Sequence, residues 1–171
     1  MSAPSERTAD GAAGVLRLPT ADDTRALGRR LAGLLRAGDL LVLAGDLGAG
    51  KTTLVQGLAE GLRVRGPVTS PTFVIARVHP STAGGPALVH VDAYRLGSLA
   101  EVDDLDLDTS LEESVTVVEW GRGLVERLAQ DRLELELHRG AGGTGSGDGE
   151  ERTAVLRAVG PRWDGAALPT A

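Results

Sequence analysis

The sequence predicts an α/β sandwich of three layers, built on a mostly parallel central sheet with added antiparallel strands. Three observations carry that expectation. Leu40–Ala44 and Val115–Glu119 are near-continuous apolar runs of strand length, as strands buried on both faces require. Each is followed by a helical stretch, Lys51 to about Leu62 and Gly121–Gln130. Near the C-terminus Arg132–Arg139 (RLELELHR) alternates strictly and suits an antiparallel pairing with Arg152–Val159 (RTAVLRAV).

The remaining elements follow in chain order. Residues 1–14 are polar, small and Gly/Ala-rich, the composition of a disordered tail. Val15–Leu18 reads as a short strand. Thr20 reads as an N-cap ahead of Asp22 and Asp23, with Leu27, Leu31, Leu34 and Leu35 at helical spacing and Gly38 as the cap that ends the helix. Arg65–Pro71 is punctuated by Gly66, Pro67 and Pro71 and reads as a loop. Thr72–Val78 and Ala87–Val91 read as strands joined by a turn around Pro80–Pro86, and Ser98–Leu105 as a short acidic helix. Gly140–Gly149 (GAGGTGSGDG) is too Gly-rich to build a core and reads as a flexible hairpin insertion. One domain over 15–160 is expected, with the insertion at 140–150 and a C-terminal tail at 161–171.

Composition narrows the function classes. The 171 residues suffice for one domain with a core. Hydrophobic residues at 42% and charged ones at 25% are ordinary for a globular protein. No apolar run approaches the ~18 residues of a membrane span, and no apolar leader opens the chain, so a cytoplasmic protein with no membrane partner is expected. The absence of cysteine excludes disulfides and thiol chemistry. The net charge of −6 is concentrated in seven acids between Glu101 and Glu113; elsewhere acids and bases nearly balance, which disfavours autonomous nucleic-acid binding. That acidic run is either a solvated helix face or a docking surface for a basic partner.

Gly45-Asp46-Leu47-Gly48-Ala49-Gly50-Lys51-Thr52 satisfies G-x-x-x-x-G-K-[ST], with a buried strand before it and a helix after it. Glycines let the backbone turn its N–H groups towards phosphate oxygens, and the helix adds its positive end. Lysine supplies a compact charge to the β- and γ-phosphates, and the threonine hydroxyl is placed for Mg²⁺. The expected fold is therefore P-loop NTPase-like. The chain has 17 arginines and one lysine, and the lysine stands here, where a planar guanidinium does not substitute for a point charge. The Asn/Thr-Lys-x-Asp segment that reads guanine needs a second lysine, so ATP is favoured over GTP.

Two acids end apolar strands: Asp92 after Ala87–Val91, and Glu119, beside Trp120, after Val115–Val118. Carboxyl ends of such strands are where an open α/β sheet places ligand-facing groups. One acid then holds Mg²⁺ or its water and the other positions the attacking water; either alone also reads as a solvated strand end. Ser70-Pro71-Thr72-Phe73 reads either as a switch-like loop or as a turn with Phe73 in the core. His79 and His138 belong to no constellation.

Together, GDLGAGKTT (Gly45–Thr53), SPTF (Ser70–Phe73), HVDAYR (His90–Arg95) and VVEWG (Val117–Gly121) make the chain resemble the bacterial TsaE (YjeE) family over about residues 15–160. The resemblance implies a small P-loop protein that binds and hydrolyses ATP. It implies association with the TsaB–TsaD pair, which transfers the threonylcarbamoyl group to adenosine in tRNA, so that tRNA is met indirectly through the complex. Carried onto matching positions, Lys51 binds phosphate within the loop Gly45–Thr53, Thr52 and Glu119 hold Mg²⁺, Asp92 is a required acid near the γ-phosphate, and Trp120 lies beside the nucleotide. Asp92 and Glu119 both stand as candidates for the general base. The Gly140–Gly149 stretch departs from the family pattern.

The leading reading is an accessory ATPase, slow alone and stimulated by partners, with no arginine finger identifiable in the chain. The alternative is a small-molecule P-loop kinase, against which the acid-rich Glu101–Glu113 argues, since such enzymes usually close an arginine-rich lid over the phosphates. A third reading is a nucleotide-gated binding module with negligible turnover.

Overall fold

The computed structural model describes residues 14–46, 48–68, 76–92, 112–119, 131–140 and 151–170. The elements in chain order are β1 (Gly14–Leu18), α1 (Ala21–Ala32), β2 (Leu40–Gly45), α2 (Lys51–Leu62), β3 (Ala76–His79), β4 (Ala87–Asp92), β5 (Ser114–Glu119), β6 (Arg132–Arg139) and β7 (Arg152–Val159). They form a seven-stranded sheet in the order β1-β7-β6-β2-β5-β4-β3. The four central strands, β6, β2, β5 and β4, are parallel. Antiparallel strands extend the sheet at both edges, β7 and β1 beyond β6, and β3 beyond β4. The expected helices over Ser98–Leu105 and Gly121–Gln130 lie outside the described residues, as do 72–75 of the expected strand and 141–149 of the Gly-rich insertion.

Local chemistry accounts for the boundaries. Thr20 and Asp23 form a reciprocal capping box, Asp23 N–H donating to Thr20 Oγ1 (3.2 Å) and Thr20 N–H to Asp23 Oδ2 (2.9 Å). The helix it starts ends at Ala32, earlier than expected, with Gly33 rather than Gly38 as its cap. Leu34 N–H reaches back only three residues, to Leu31 O, which tightens and closes the last turn. Asp39 then holds a turn by accepting from Arg36 N–H (2.8 Å), and Gly38, at φ 96°, leads into β2 with its N–H on Ser114 O. In β6 the alternation holds: Leu133, Leu135 and Leu137 are buried on the core face.

One face of the sheet buries Leu41, Leu43, Leu88, Val117, Leu135 and Leu156 against Leu27, Leu31, Leu54 and Leu58 of the two helices. The helices approach closely because glycines face each other's backbones. A Cβ on Gly57 would stand 2.0 Å from Arg25 O, and one on Gly28 would stand 2.2 Å from Leu54 O. Glu60 of α2 adds ion pairs to Arg25 (3.5 Å) and Arg29 (2.9 Å) of α1. The segment after β7, expected as a tail, is seated on the domain. Trp163 is buried, Arg162 stacks 4.2 Å over its ring, and the Arg162 guanidinium donates to both oxygens of buried Asp39 (3.2 and 3.0 Å). No helix among the described residues is long and apolar enough to cross a membrane.

Candidate nucleotide site

The site forms where three parallel strands end together. Leu43 of β2 is in register with Glu119 of β5, and Glu119 with Asp92 of β4. Register partners share a face and lie about 4.8 Å apart. The two carboxylates therefore leave the sheet side by side, on the face that carries Leu43 into the core beneath α1 and α2.

Beyond β2 the chain turns sharply into α2. Gly45 (φ 151°) and Gly50 (φ 98°) adopt backbone conformations that L side chains rarely reach, and a Cβ on Gly45 would strike Leu137 O at 2.7 Å. Ala49 N–H donates to Asp46 O (3.0 Å) and closes the turn. Lys51 Nζ folds back to donate to Gly45 O (2.6 Å) and Asp46 O (3.0 Å). Lys51 is only 8% exposed. Burial pushes its ammonium below the ordinary lysine range, while the carboxylates of Glu119, Asp46 and Asp92 pull the other way.

The two helices begin differently. The first is closed by its capping box with acids in the first turn; α2 begins at Gly50 with no side-chain cap and no acid there. Among the described residues no side chain caps the first turn of α2, and the positive helix end faces the loop. Such an end suits an anion.

Glu119 and Asp92 are both buried. Glu119 Oε1 makes no hydrogen bond among the described residues, although His90 Nε2 lies 3.1 Å away, at ion-pair distance. A carboxylate at a strand end beside this Gly-rich loop suits a hydrated Mg²⁺, which is usually held by one or two carboxylates together with phosphate oxygens and water. Among the described residues no group of three or more His, Asp or Glu gathers as a protein-only metal cage. The pair Thr52 and Glu119 suits a metal that arrives with phosphates.

Of the residues expected at the site, Gly45, Asp46, Gly48, Ala49, Gly50, Lys51, Thr52, Thr53, Asp92 and Glu119 stand together at the carboxyl end of the central strands. Leu47, Trp120, Ser70–Phe73, Tyr94 and Arg95 lie outside the described residues. Two further residues enter that residue-by-residue reading did not single out. His90 was legible, because the two-residue period of a strand puts it on the same face as Asp92. Arg152, which donates to the loop carbonyls Gly48 O (3.1 Å) and Ala49 O (3.2 Å), comes from more than a hundred residues away and had no local signal.

Comparison with known proteins places the chain in a family. The family model described as threonylcarbamoyl adenosine biosynthesis protein TsaE matches residues 18–145. A Streptomyces coelicolor protein named tRNA threonylcarbamoyladenosine biosynthesis protein TsaE is 64% identical over 140 residues, covering 81% of this chain and 93% of the relative. A Bacillus subtilis protein of the same name is 39% identical over 144 residues, 84% of each chain. The crystal structure of Bacillus subtilis YdiB superposes with a TM-score of 0.67 at 32% identity, covering 90% of both chains, in keeping with a P-loop NTPase-like fold. The chain belongs to the TsaE family, whose members carry the name of threonylcarbamoyladenosine biosynthesis in tRNA.

Proposed function

We propose that this chain binds and hydrolyses ATP with Mg²⁺, and that its hydrolysis serves the TsaB–TsaD complex that forms threonylcarbamoyl-adenosine in tRNA in the cytoplasm. The observation that carries the ATP reading is the uncapped start of α2, where Lys51 lies opposite the carboxylates of Asp92 and Glu119. Lys51 exchanges its two loop carbonyls for the β- and γ-phosphates, which also relieves the penalty of burying its charge. The first-turn N–H groups of α2 hold phosphate oxygens. Thr52 and Glu119 would hold the Mg²⁺, which when bound would neutralise charge on the phosphates. Water then attacks the γ-phosphorus, the bond to the bridging oxygen breaks, and ADP and inorganic phosphate leave. Asp92 and Glu119 are the two carboxylates placed to orient that water and take its proton. The family membership supports the tRNA-modification role; the chain performs no transfer itself and acts as an accessory ATPase.

The test is thermal unfolding with and without Mg-ATP, for the parent and Lys51→Ala. At a hundred times Kd, ATP stabilises by about 2.7 kcal/mol, or ~5–10 °C in Tm for a chain of this size. Lys51→Ala is expected to lose that shift, measured against its own ligand-free Tm. A shift of parental size in the variant refutes the site.

A further inference from the structure

We propose that Arg152 is a positioning residue for the phosphate loop, an inference that rests on the nucleotide reading of that loop. Arg152 opens β7, directly opposite Arg139, the last residue of β6. Its guanidinium donates from Nη2 to Gly48 O (3.1 Å), from Nε to Ala49 O (3.2 Å) and from Nη1 to Glu151 O (3.1 Å). Arg139 approaches the same apex: a Cβ on Gly48 would lie 3.7 Å from its Nη1. Two arginines at the last paired position of β6 and β7 thus meet the loop.

Peptide geometry turns this contact into a device. A trans peptide is planar, so its C=O and the N–H of the next residue point in opposite directions. Fixing Gly48 O and Ala49 O on one guanidinium therefore fixes the N–H groups of Ala49 and Gly50, aimed away from the arginine. The Ala49 N–H closes the turn onto Asp46 O, which holds the loop's curvature. The Gly50 N–H stands at the head of α2, where an anion is expected. A positive charge on the carbonyls also polarises these peptides and makes their N–H groups stronger donors. The loop glycines give the backbone many conformations; the arginine fork selects one before the ligand arrives, and such preorganisation increases affinity. Lysine reaches one carbonyl at a time and does not reproduce the fork.

The test compares parent, Arg152→Ala, Arg152→Lys and Lys51→Ala in titrations with a fluorescent ATP analogue and Mg²⁺, with backbone amide exchange of Ala49 followed in the free protein. Arg152→Ala is expected to weaken binding about tenfold, Arg152→Lys to recover part of that loss, and both to speed exchange at Ala49, whose N–H is bonded to Asp46 O, while other core amides stay protected. If Arg152→Ala does not fold, the lysine variant carries the same comparison. Parent and Arg152 variants binding within twofold of each other, with unchanged exchange, overturn the proposal; if Lys51→Ala has then lost binding, the nucleotide reading stands without it. A parent that binds no ATP overturns both.

Discussion

Lys51 holds an ammonium in a place where burial disfavours it, supported by two backbone carbonyls and three nearby carboxylates. A lysine whose pKa is lowered by folding destabilises the free protein wherever it remains charged, and that penalty is lifted only as pH rises through the lowered value. Removing Lys51 lifts that charge penalty but also takes a donor from the carbonyls of Gly45 and Asp46, so the variant's own ligand-free Tm is the baseline for its ligand-dependent effects. The two acids beside it are separable by function. Glu119→Gln and Asp92→Asn should both lower the hydrolysis rate by roughly a hundredfold or more. Only Glu119→Gln should also raise the Mg²⁺ concentration needed for half-maximal rate, because Glu119, with Thr52, is the proposed metal ligand. A Mg²⁺ titration of steady-state hydrolysis measures both effects, and an Asp92→Asn variant working at parental rate contradicts the assignment.

Among the elements, the glycine-mediated contact of α1 with α2 bears on the site because Lys51 is the first residue of α2. Gly57→Ala puts a methyl group 2.0 Å from Arg25 O, against backbone that is itself held in a helix. Overpacking of this kind destabilises by about 1–3 kcal/mol, a fall of ~3–10 °C in Tm. Gly33→Ala, at φ −68° on the exposed end of α1, serves as the control and should leave Tm nearly unchanged. Thermal unfolding of the two variants checks the pair; equal Tm values refute the close crossing. These elements also show what sequence makes legible. The span Lys51–Leu62 matches its expected range because its periodicity is bounded by a Gly-rich loop and by Arg63, which takes a left-handed cap. Leu40–Ala44 reads as a strand because burial on both faces leaves no polar positions. Gly38 misleads because a glycine after a leucine-rich helix looks like its cap, whereas the long-range contact to Ser114 determines its place.

For the molecule as a whole, sheet topology brings the carboxyl ends of distant strands together. The places of the Gly-rich loop and both acids were readable from sequence because each ends an apolar strand. The grip of Arg152 on the loop, and the seating of Trp163 beneath Arg162, depend on tertiary contacts that leave no periodic trace. The functional claim belongs to this scale, since an accessory ATPase is defined by what its hydrolysis does to partners. The most direct measurement is ATP hydrolysis and threonylcarbamoyl-adenosine formation in tRNA, with purified TsaB and TsaD, in the presence of this chain or its Lys51→Ala variant. The account predicts slow hydrolysis by the chain alone, faster hydrolysis with TsaB and TsaD, and sustained modification only with the parent chain. Modification proceeding equally with Lys51→Ala, or hydrolysis indifferent to TsaB and TsaD, would contradict it.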